Sequence, residues 1–122
     1  MGRLQRQKGK RGEREAVHQL KSIGCLSAAR RVRNSEGDSD IIEAIPGVSF
    51  EVKLEKRTNL PAAMRQAIAQ AANPAGLDEI PAVLHRETVG RGEPANPWCL
   101  TIRLADLPQL LHAYQLALAS AT

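Results

Sequence analysis

One short run, in which charged and apolar residues alternate, constrains the fold of this chain more than any other feature. The run is Phe50-Glu51-Val52-Lys53-Leu54, and its period of two is that of a β-strand with one buried face. Glu51 and Lys53 then share one face, and the three apolar residues face the core. A carboxylate and an ammonium group on a rigid strand indicate either a binding site or a charged, solvated face that contributes little energy.

A second acidic position precedes this strand. Asp40 stands before two isoleucines, and a Pro-Gly turn leads from that predicted strand into the next. The return would bring Asp40 beside Glu51. These two carboxylates and the backbone carbonyl of Val52 would offer the oxygen ligands that Mg²⁺ prefers, and Lys53 would stabilise developing charge. The residues alone leave a metal site and a solvated face equally open.

The order of predicted elements indicates an α/β fold. We expect a central mixed β-sheet flanked by helices, in the order αβββαββα. The length of 122 residues fits one domain, 1–122, with residues 1–11 as a flexible basic arm. The predicted elements are helix 12–23, strands 28–33, 40–44 and 48–54, helix 60–72, strands 80–85 and 98–104, and a last helix from 107.

Glu13 is the third acidic candidate. Ala16, Val17, Leu20 and Ile23 form an apolar stripe in the first predicted helix, and Glu13 continues it at helical spacing. A carboxylate on that line is costly unless it is paired or bound to a metal. The alternative is an acid in the first turn that interacts favourably with the helix dipole. We favour the site role.

Positive charge is concentrated in the first third of the chain, and the whole chain has a net charge of +4. This pattern predicts a surface for a polyanion, with a solvated basic tail as the alternative. Phe, Trp and Tyr each occur once. We therefore do not expect the stacking of bases on aromatic side chains to be the main way in which this protein binds single-stranded nucleic acid. The candidates for phosphate contact are Lys8, Lys10, Arg11, Arg14, Arg30, Arg31, Arg33, Lys56 and Arg57.

The two cysteines, Cys25 and Cys99, lack metal-binding or redox spacing. We expect reduced thiols that act as small apolar fillers. Neither a secretory signal nor an apolar stretch long enough to span a bilayer is evident. The sequence therefore predicts a cytoplasmic protein with no membrane partner.

Taken in order, these motifs resemble the PD-(D/E)xK nuclease superfamily, which has the restriction-endonuclease-like fold. More narrowly, they resemble the archaeal-type Holliday junction resolvases and small phage nucleases of the virus-type replication-repair group. The last match is a glutamine on the helix after the third strand. The matching residues are Lys8-Gly9-x-x-Gly12-Glu13-Arg14-Glu15, Ser39-Asp40-Ile41-Ile42, Glu51-Val52-Lys53 and Gln66.

The resemblance implies an endodeoxyribonuclease that requires Mg²⁺, with Mn²⁺ as a substitute, and hydrolyses phosphodiester bonds in branched DNA. Asp40 and Glu51 would bind the metal, Lys53 would be the catalytic lysine, Glu13 would help place metal or water, and Gln66 would support the site. A homodimer is implied because a four-way junction needs two symmetric cuts. A phage origin would place the enzyme in the cytoplasm of a bacterial host.

Three residues depart from the family pattern or compete with it. Ser39 replaces the usual proline before the aspartate, which is tolerable because that proline is not a ligand. Asp38 is a competing carboxylate that would assist Asp40, and Ser35 matches loosely a serine found in the resolvases. Two other functions stay open: a flap or single-strand nuclease of the same fold, and a DNA-binding module without catalysis.

Overall fold

The elements follow the predicted order αβββαββα, with one 3₁₀ turn added before the last helix. The computed structural model describes residues 3–30, 40–42, 44–72 and 79–120, and only the backbone of residues 3–8. The elements are α1 Arg3–Ser22, β1 Ala29–Arg30, β2 Ile41–Ile42, β3 Val48–Glu55, α2 Leu60–Ala71, β4 Ile80–Glu87, β5 Cys99–Ile102, the 3₁₀ turn Leu104–Asp106 and α3 Leu107–Ser120.

Strand β3 lies at one side of a three-stranded mixed sheet. It runs parallel to β4, with Glu51 opposite Val83 and Lys53 opposite His85, and β4 pairs antiparallel with β5. The prediction of a mixed sheet flanked by helices is therefore confirmed. The expectation of one sheet is wrong within the described residues, because β1 and β2 pair only with each other in a separate antiparallel ribbon.

The alternation in β3 gives the sheet two different faces. Phe50, only 1% exposed, belongs to the main core, together with Ala16 and Leu20 of α1 and Leu110 of α3. The opposite face carries Glu51 and is covered by α2, whose Ala63 and Ala67 pack in a second cluster against Val83 of β4. The predicted division of β3 into an apolar and a charged face is confirmed.

The first helix begins at Arg3, so the predicted helix start near Gly12 is wrong. Arg, Leu, Gln and Lys favour helix, so the basic stretch at the start of the chain forms part of α1. Glu13 consequently lies deep within the helix. Its interpretation as a first-turn acid that interacts with the dipole therefore fails, because that effect falls off within the first turn.

Gly12 allows α1 to lie directly on β3. A Cβ atom at Gly12 would stand 3.0 Å from Cβ of Leu54 and 3.7 Å from Cγ1 of Val52. At Gly9, in the same helix, a Cβ atom would meet no described atom within 4 Å. The close approach at Gly12 holds the next residue, Glu13, against the strand that carries Glu51.

An ion pair fastens α1 to β4. The guanidinium of Arg86 is almost buried and donates to Glu15 Oε1 at 2.9 Å, and it also lies 5.9 Å from the ring centre of Trp98. Burial alone would raise the pKa of Glu15, but hydrogen bonds from Arg11 and Arg86 outweigh it and hold that pKa below its ordinary value. The pair fixes the rotation of α1.

Two smaller expectations need correction. Cys25 is buried as predicted, but Cys99 is exposed and fills no core position, because it lies on the edge strand β5. The spacing of apolar residues in α3 predicts a stripe that faces either the core or a second copy, with the core favoured: Leu107, Leu110, Leu111, Tyr114 and Leu118. In the structure this stripe divides, because Leu110 is buried, whereas Leu107 and Leu111 are 42% and 53% exposed. Among the described residues, no helix has the length and apolar character needed to cross a membrane.

We expect Gly12→Leu to destabilise the protein, because the new side chain must displace Leu54 or push α1 off the sheet. Overpacking of this kind costs about 1–3 kcal/mol, which lowers Tm by about 4 °C per kcal/mol in a domain of 122 residues. Gly9→Leu is the matched control and should leave Tm unchanged or higher, since leucine favours helix. Thermal unfolding followed by circular dichroism measures both, and equal Tm values for the two variants would contradict the packing described here.

Candidate active site

Asp40 is attached to the outer side of β3. Its backbone N–H donates to the Phe50 carbonyl at 2.8 Å, and its Oδ2 accepts from the Val52 N–H at 2.8 Å. The N–H and C=O of one strand residue point to the same side. The Val52 carbonyl therefore lies on the side of β3 that Asp40 occupies. The predicted meeting of Asp40 with the Glu51 strand is confirmed.

Glu51 and Lys53 share one face of β3, as the alternation predicts. Glu51 is only 4% exposed, and its Oε1 lies 3.3 Å from Nζ of Lys53. The same Nζ donates to Oε1 of Gln66 at 3.1 Å. Gln66 therefore reaches the charged face from α2, as expected, and holds the lysine in place beside the carboxylate.

The carboxylates of the site are held in an unfavourable environment for negative charge. Burial raises the pKa of Glu51, the neighbouring Asp40 raises it further, and Lys53 and a hydrogen bond from Gln70 act against them. Burial also raises the pKa of Asp40, against the Val52 N–H and Lys53. Two like charges in a desolvated place favour a cation between them.

Glu13 joins this electrostatic group from α1. Burial raises its pKa first, and the charges of Asp40 and Glu51 raise it further, while Arg30 and Lys10 lower it. The structure thus brings the three acidic candidates into one neighbourhood. Within the described residues, however, no three His, Cys, Asp or Glu side chains form a group that could hold a metal ion, so Glu13 acts here through its charge.

One carboxylate oxygen of Glu51, Oε2, is buried without a protein partner in the described part of the chain. Buried carboxylate oxygens are normally paired, and an orphan is expected only where an ion or water completes the contact. Mg²⁺ commonly takes one or two protein carboxylates. Asp40, Glu51 and the Val52 carbonyl match that requirement.

Gln70 is a site residue to which the sequence analysis assigned no role. It stands four residues after Gln66 on α2, and its hydrogen bond lowers the pKa of Glu51. Its Oε1 is also buried without a partner in the described part of the chain. The spacing of the two glutamines was a usable signal, because residues four apart lie on one side of a helix.

His85 is a second neighbour that the sequence did not single out. It lies opposite Lys53 in the parallel pairing of β3 and β4 and shares a 2.9 Å hydrogen bond with Thr101 Oγ1. Burial lowers its pKa. It also lines a cleft of about 270 Å³, together with Thr58 and Asn96. This imidazole extends the polar face of the sheet beyond Lys53.

Of the predicted phosphate contacts, Arg30 and Lys10 are near enough to Glu13 to lower its pKa. Lys10, Arg11 and Arg14 are exposed on α1, although Arg11 is engaged by Glu15 at 2.9 Å. Arg30 is half-buried on β1, and Lys56 and Arg57 are exposed directly after β3. Two further phosphate candidates, Arg31 and Arg33, lie outside the described residues, as do the site candidates Ser35 and Asp38. Only the backbone of Lys8 is described.

Comparison of the chain with protein-family models, with curated proteins and with solved structures gave no match. The geometry of Asp40, Glu51 and Lys53 and the charges around them are therefore the basis for inferring a function.

We expect Mn²⁺ to raise Tm of the protein, and Glu51→Gln to abolish that effect. When folding raises the pKa of a carboxyl, the stability that this group contributes to the protein falls as pH rises. The fall extends from its pKa in the unfolded chain through its pKa in the folded protein. Because the pKa of Glu51 is raised, this cost to the metal-free protein grows as pH rises, so at pH 8 Glu51→Gln in chelator should be at least as stable as the parent. Mn²⁺ at 100 times its Kd would add about 2.7 kcal/mol to the parent.

Glu55→Gln is the matched control, since Glu55 ends the same strand and is exposed. This variant should keep the full response to Mn²⁺ in differential scanning fluorimetry. An equal Mn²⁺ response in Glu51→Gln would show that the metal binds elsewhere.

Proposed function

We propose that this protein is a metal-dependent endodeoxyribonuclease with the restriction-endonuclease-like fold, acting on branched DNA in the manner of a Holliday junction resolvase. The observation that carries the proposal is the buried Glu51 carboxylate. It lies in the electrostatic neighbourhood of Asp40 and 3.3 Å from Lys53, and among the described atoms its second oxygen has no partner. Buried polar atoms are normally paired, so an unpaired carboxylate oxygen supports a place for an ion or a water beside it.

Each residue has a definite task in this proposal. Asp40, Glu51 and the Val52 carbonyl hold the metal. Bound Mg²⁺ supplies charge neutralisation at the phosphate and lowers the pKa of a water. Lys53, held by Gln66 at 3.1 Å, donates to a phosphate oxygen and stabilises the charge that develops there. Hydrolysis then proceeds by in-line attack of water, without a covalent enzyme intermediate.

The basic residues position the DNA on this site. Arg30 is near enough to Glu13 to lower its pKa, so phosphates held by Arg30 lie close to the carboxylates. Lys56 and Arg57, exposed beyond the end of β3, would hold the backbone on the other side. Such contacts orient DNA without reading its sequence. The branched substrate, a homodimer with two sites and a cytoplasmic location are parts of the proposal that come from the resemblance.

The test is cleavage of a synthetic four-way junction, a flap and a linear duplex, each with Mg²⁺ and with chelator. We expect paired symmetric cuts in the junction that vanish in chelator. Asp40→Asn should lower the rate by on the order of 100-fold or more, as when one preorganised electrostatic contact is lost, and should leave DNA binding largely intact. Glu55→Gln should cut normally.

Other outcomes separate the alternatives. Preferential cutting of the flap or of single strands would support a nuclease of the same fold with another substrate. Binding of all three substrates without cleavage would contradict the nuclease and favour a DNA-binding module. Full Mg²⁺-dependent activity in Asp40→Asn would contradict the site.

A further inference from the structure

A cleft of about 270 Å³ lies beside the candidate active site, at the carboxyl ends of the parallel strands β3 and β4. Three of its lining residues show this position: Glu87 ends β4, Leu60 begins α2, and Thr58 lies between β3 and α2. His85, also in the lining, is opposite Lys53 in the strand pairing. The wall of the cleft therefore lies one strand spacing, about 4.8 Å, from the backbone of Lys53. Ligands of α/β sheets commonly bind at this edge.

Hydrogen bonds within the protein hold polar groups of the cleft in fixed places. The N–H of Thr58 donates to Oε2 of Glu87 at 3.0 Å, and the side-chain amide of Asn96 donates to the Glu87 carbonyl at 3.0 Å. Leu60 and Pro97 add apolar surface to the same lining. Fixed polar groups that converge beside apolar side chains are typical of a site for a small ligand.

The side chain of Thr58 indicates that a ligand completes this cleft. Its Oγ1 atom is buried and has no hydrogen-bond partner in the described part of the chain. Buried hydroxyls are normally paired, and a hydroxyl can turn to donate to a ligand or to accept from one. An unpaired hydroxyl in the wall of a cleft therefore favours an occupant with a polar edge.

The charges that line the cleft disfavour a phosphate inside it. Burial lowers the pKa of His85 and the negative charge of Glu87 raises it, so these two groups are neighbours. Arg86 also lines the cleft, but its guanidinium already donates to Glu15 at 2.9 Å. A phosphate would therefore meet the Glu87 carboxylate, whereas the amino group of a nucleobase is a donor that a carboxylate accepts.

Cations suited to phosphate lie just outside the cleft. Lys56 and Arg57 are exposed and directly precede Thr58 in the chain, which places them at the rim, where they can hold phosphates. The volume of the cleft is slightly below the roughly 300–1,000 Å³ of sites for drug-sized molecules. It therefore suits a single base and not a stretch of duplex.

We propose that this cleft receives one unpaired base of a DNA strand, with a preference for bases that carry an amino group, while Lys56 and Arg57 hold the adjoining phosphates. This inference rests on the proposed function and deepens it. Turning a base out of a duplex costs energy, and the cost is least where the base is already unpaired, as in a flap or an opened branch point. The cleft would thus favour branched DNA over linear duplex and hold the strand beside Lys53.

Cys99 gives a direct measure of whether the cleft is occupied. It is exposed and lines the cleft, whereas Cys25 is buried, so a thiol reagent labels Cys99 first in the folded protein. Short single strands of deoxycytidine, of deoxythymidine and of abasic sugar–phosphate are compared in chelator, and fluorescence anisotropy measures their binding. Cytosine has an amino group and thymine has none.

We expect the deoxycytidine strand, at about ten times its Kd, to slow the labelling of Cys99 by about tenfold, because only protein with an empty cleft reacts. Deoxythymidine should protect Cys99 less at the same concentration. The abasic strand, when bound, should leave the labelling rate unchanged. Glu87→Gln should reduce the preference for deoxycytidine over deoxythymidine, because it removes the charge that attracts the amino group.

Thr58→Val and Thr88→Val are matched variants, because valine keeps the shape of threonine and removes its hydroxyl. The Thr58 hydroxyl is unpaired within the described part of the chain, so Thr58→Val should not lower Tm. It should raise the Kd of the deoxycytidine strand by roughly 2- to 10-fold, the loss expected for one hydrogen bond. Thr88 follows Glu87 but is not among the described residues that line the cleft, so Thr88→Val should bind as the parent does.

Equal protection of Cys99 by all three strands would overturn the proposal, since only the backbone would then be bound. The same conclusion would follow if a strand bound without slowing the labelling, or if none of the strands bound. The outcome is independent of cleavage. A protein that cuts no junction but protects Cys99 would contradict the proposed nuclease and leave the cleft standing, whereas an active nuclease with unprotected Cys99 would remove only the cleft.

Discussion

Glu51 has a buried carboxylate. Among the described residues, only one of its two oxygens has a partner. The strand that carries it is central to the protein, because Phe50 on its other face anchors the main core. Burial and the charge of Asp40 both raise the pKa of Glu51, and a divalent cation would remove the resulting cost. The proposed metal site follows from this uncompensated negative charge of Glu51 and Asp40.

Other parts of the fold hold Asp40 and Glu13 near Glu51. Asp40 is tied to β3 by two backbone contacts of 2.8 Å, so its carboxylate has little freedom. Gly12 brings α1 against β3, and the Glu15–Arg86 pair fixes the rotation that points Glu13 toward the acids. Packing and electrostatics are therefore coupled here, because a shift of α1 would change both the core and the charge around the site.

The alternation of Phe50 to Leu54 was enough to predict the two faces of β3, since side-chain direction in a strand depends only on sequence parity. The Pro-Gly turn was enough to predict that Asp40 returns beside Glu51. The orphan oxygens of Glu51 and Gln70 were not predictable, because they depend on how α2 lies across the sheet. The early start of α1 was missed because its charged, glycine-containing sequence resembles a tail, although its residues favour helix.

The central claim is that Asp40, Glu51 and the Val52 carbonyl hold one divalent cation. Crystals grown with Mn²⁺ test it most directly, because the anomalous scattering of manganese identifies the ion and its position. Our account predicts an anomalous peak bonded to the free oxygen of Glu51 and to an oxygen of Asp40, at the roughly 2.0–2.2 Å expected of a small hard cation. A map without a peak at these oxygens, with Glu51 paired instead to water or to another side chain, would contradict it.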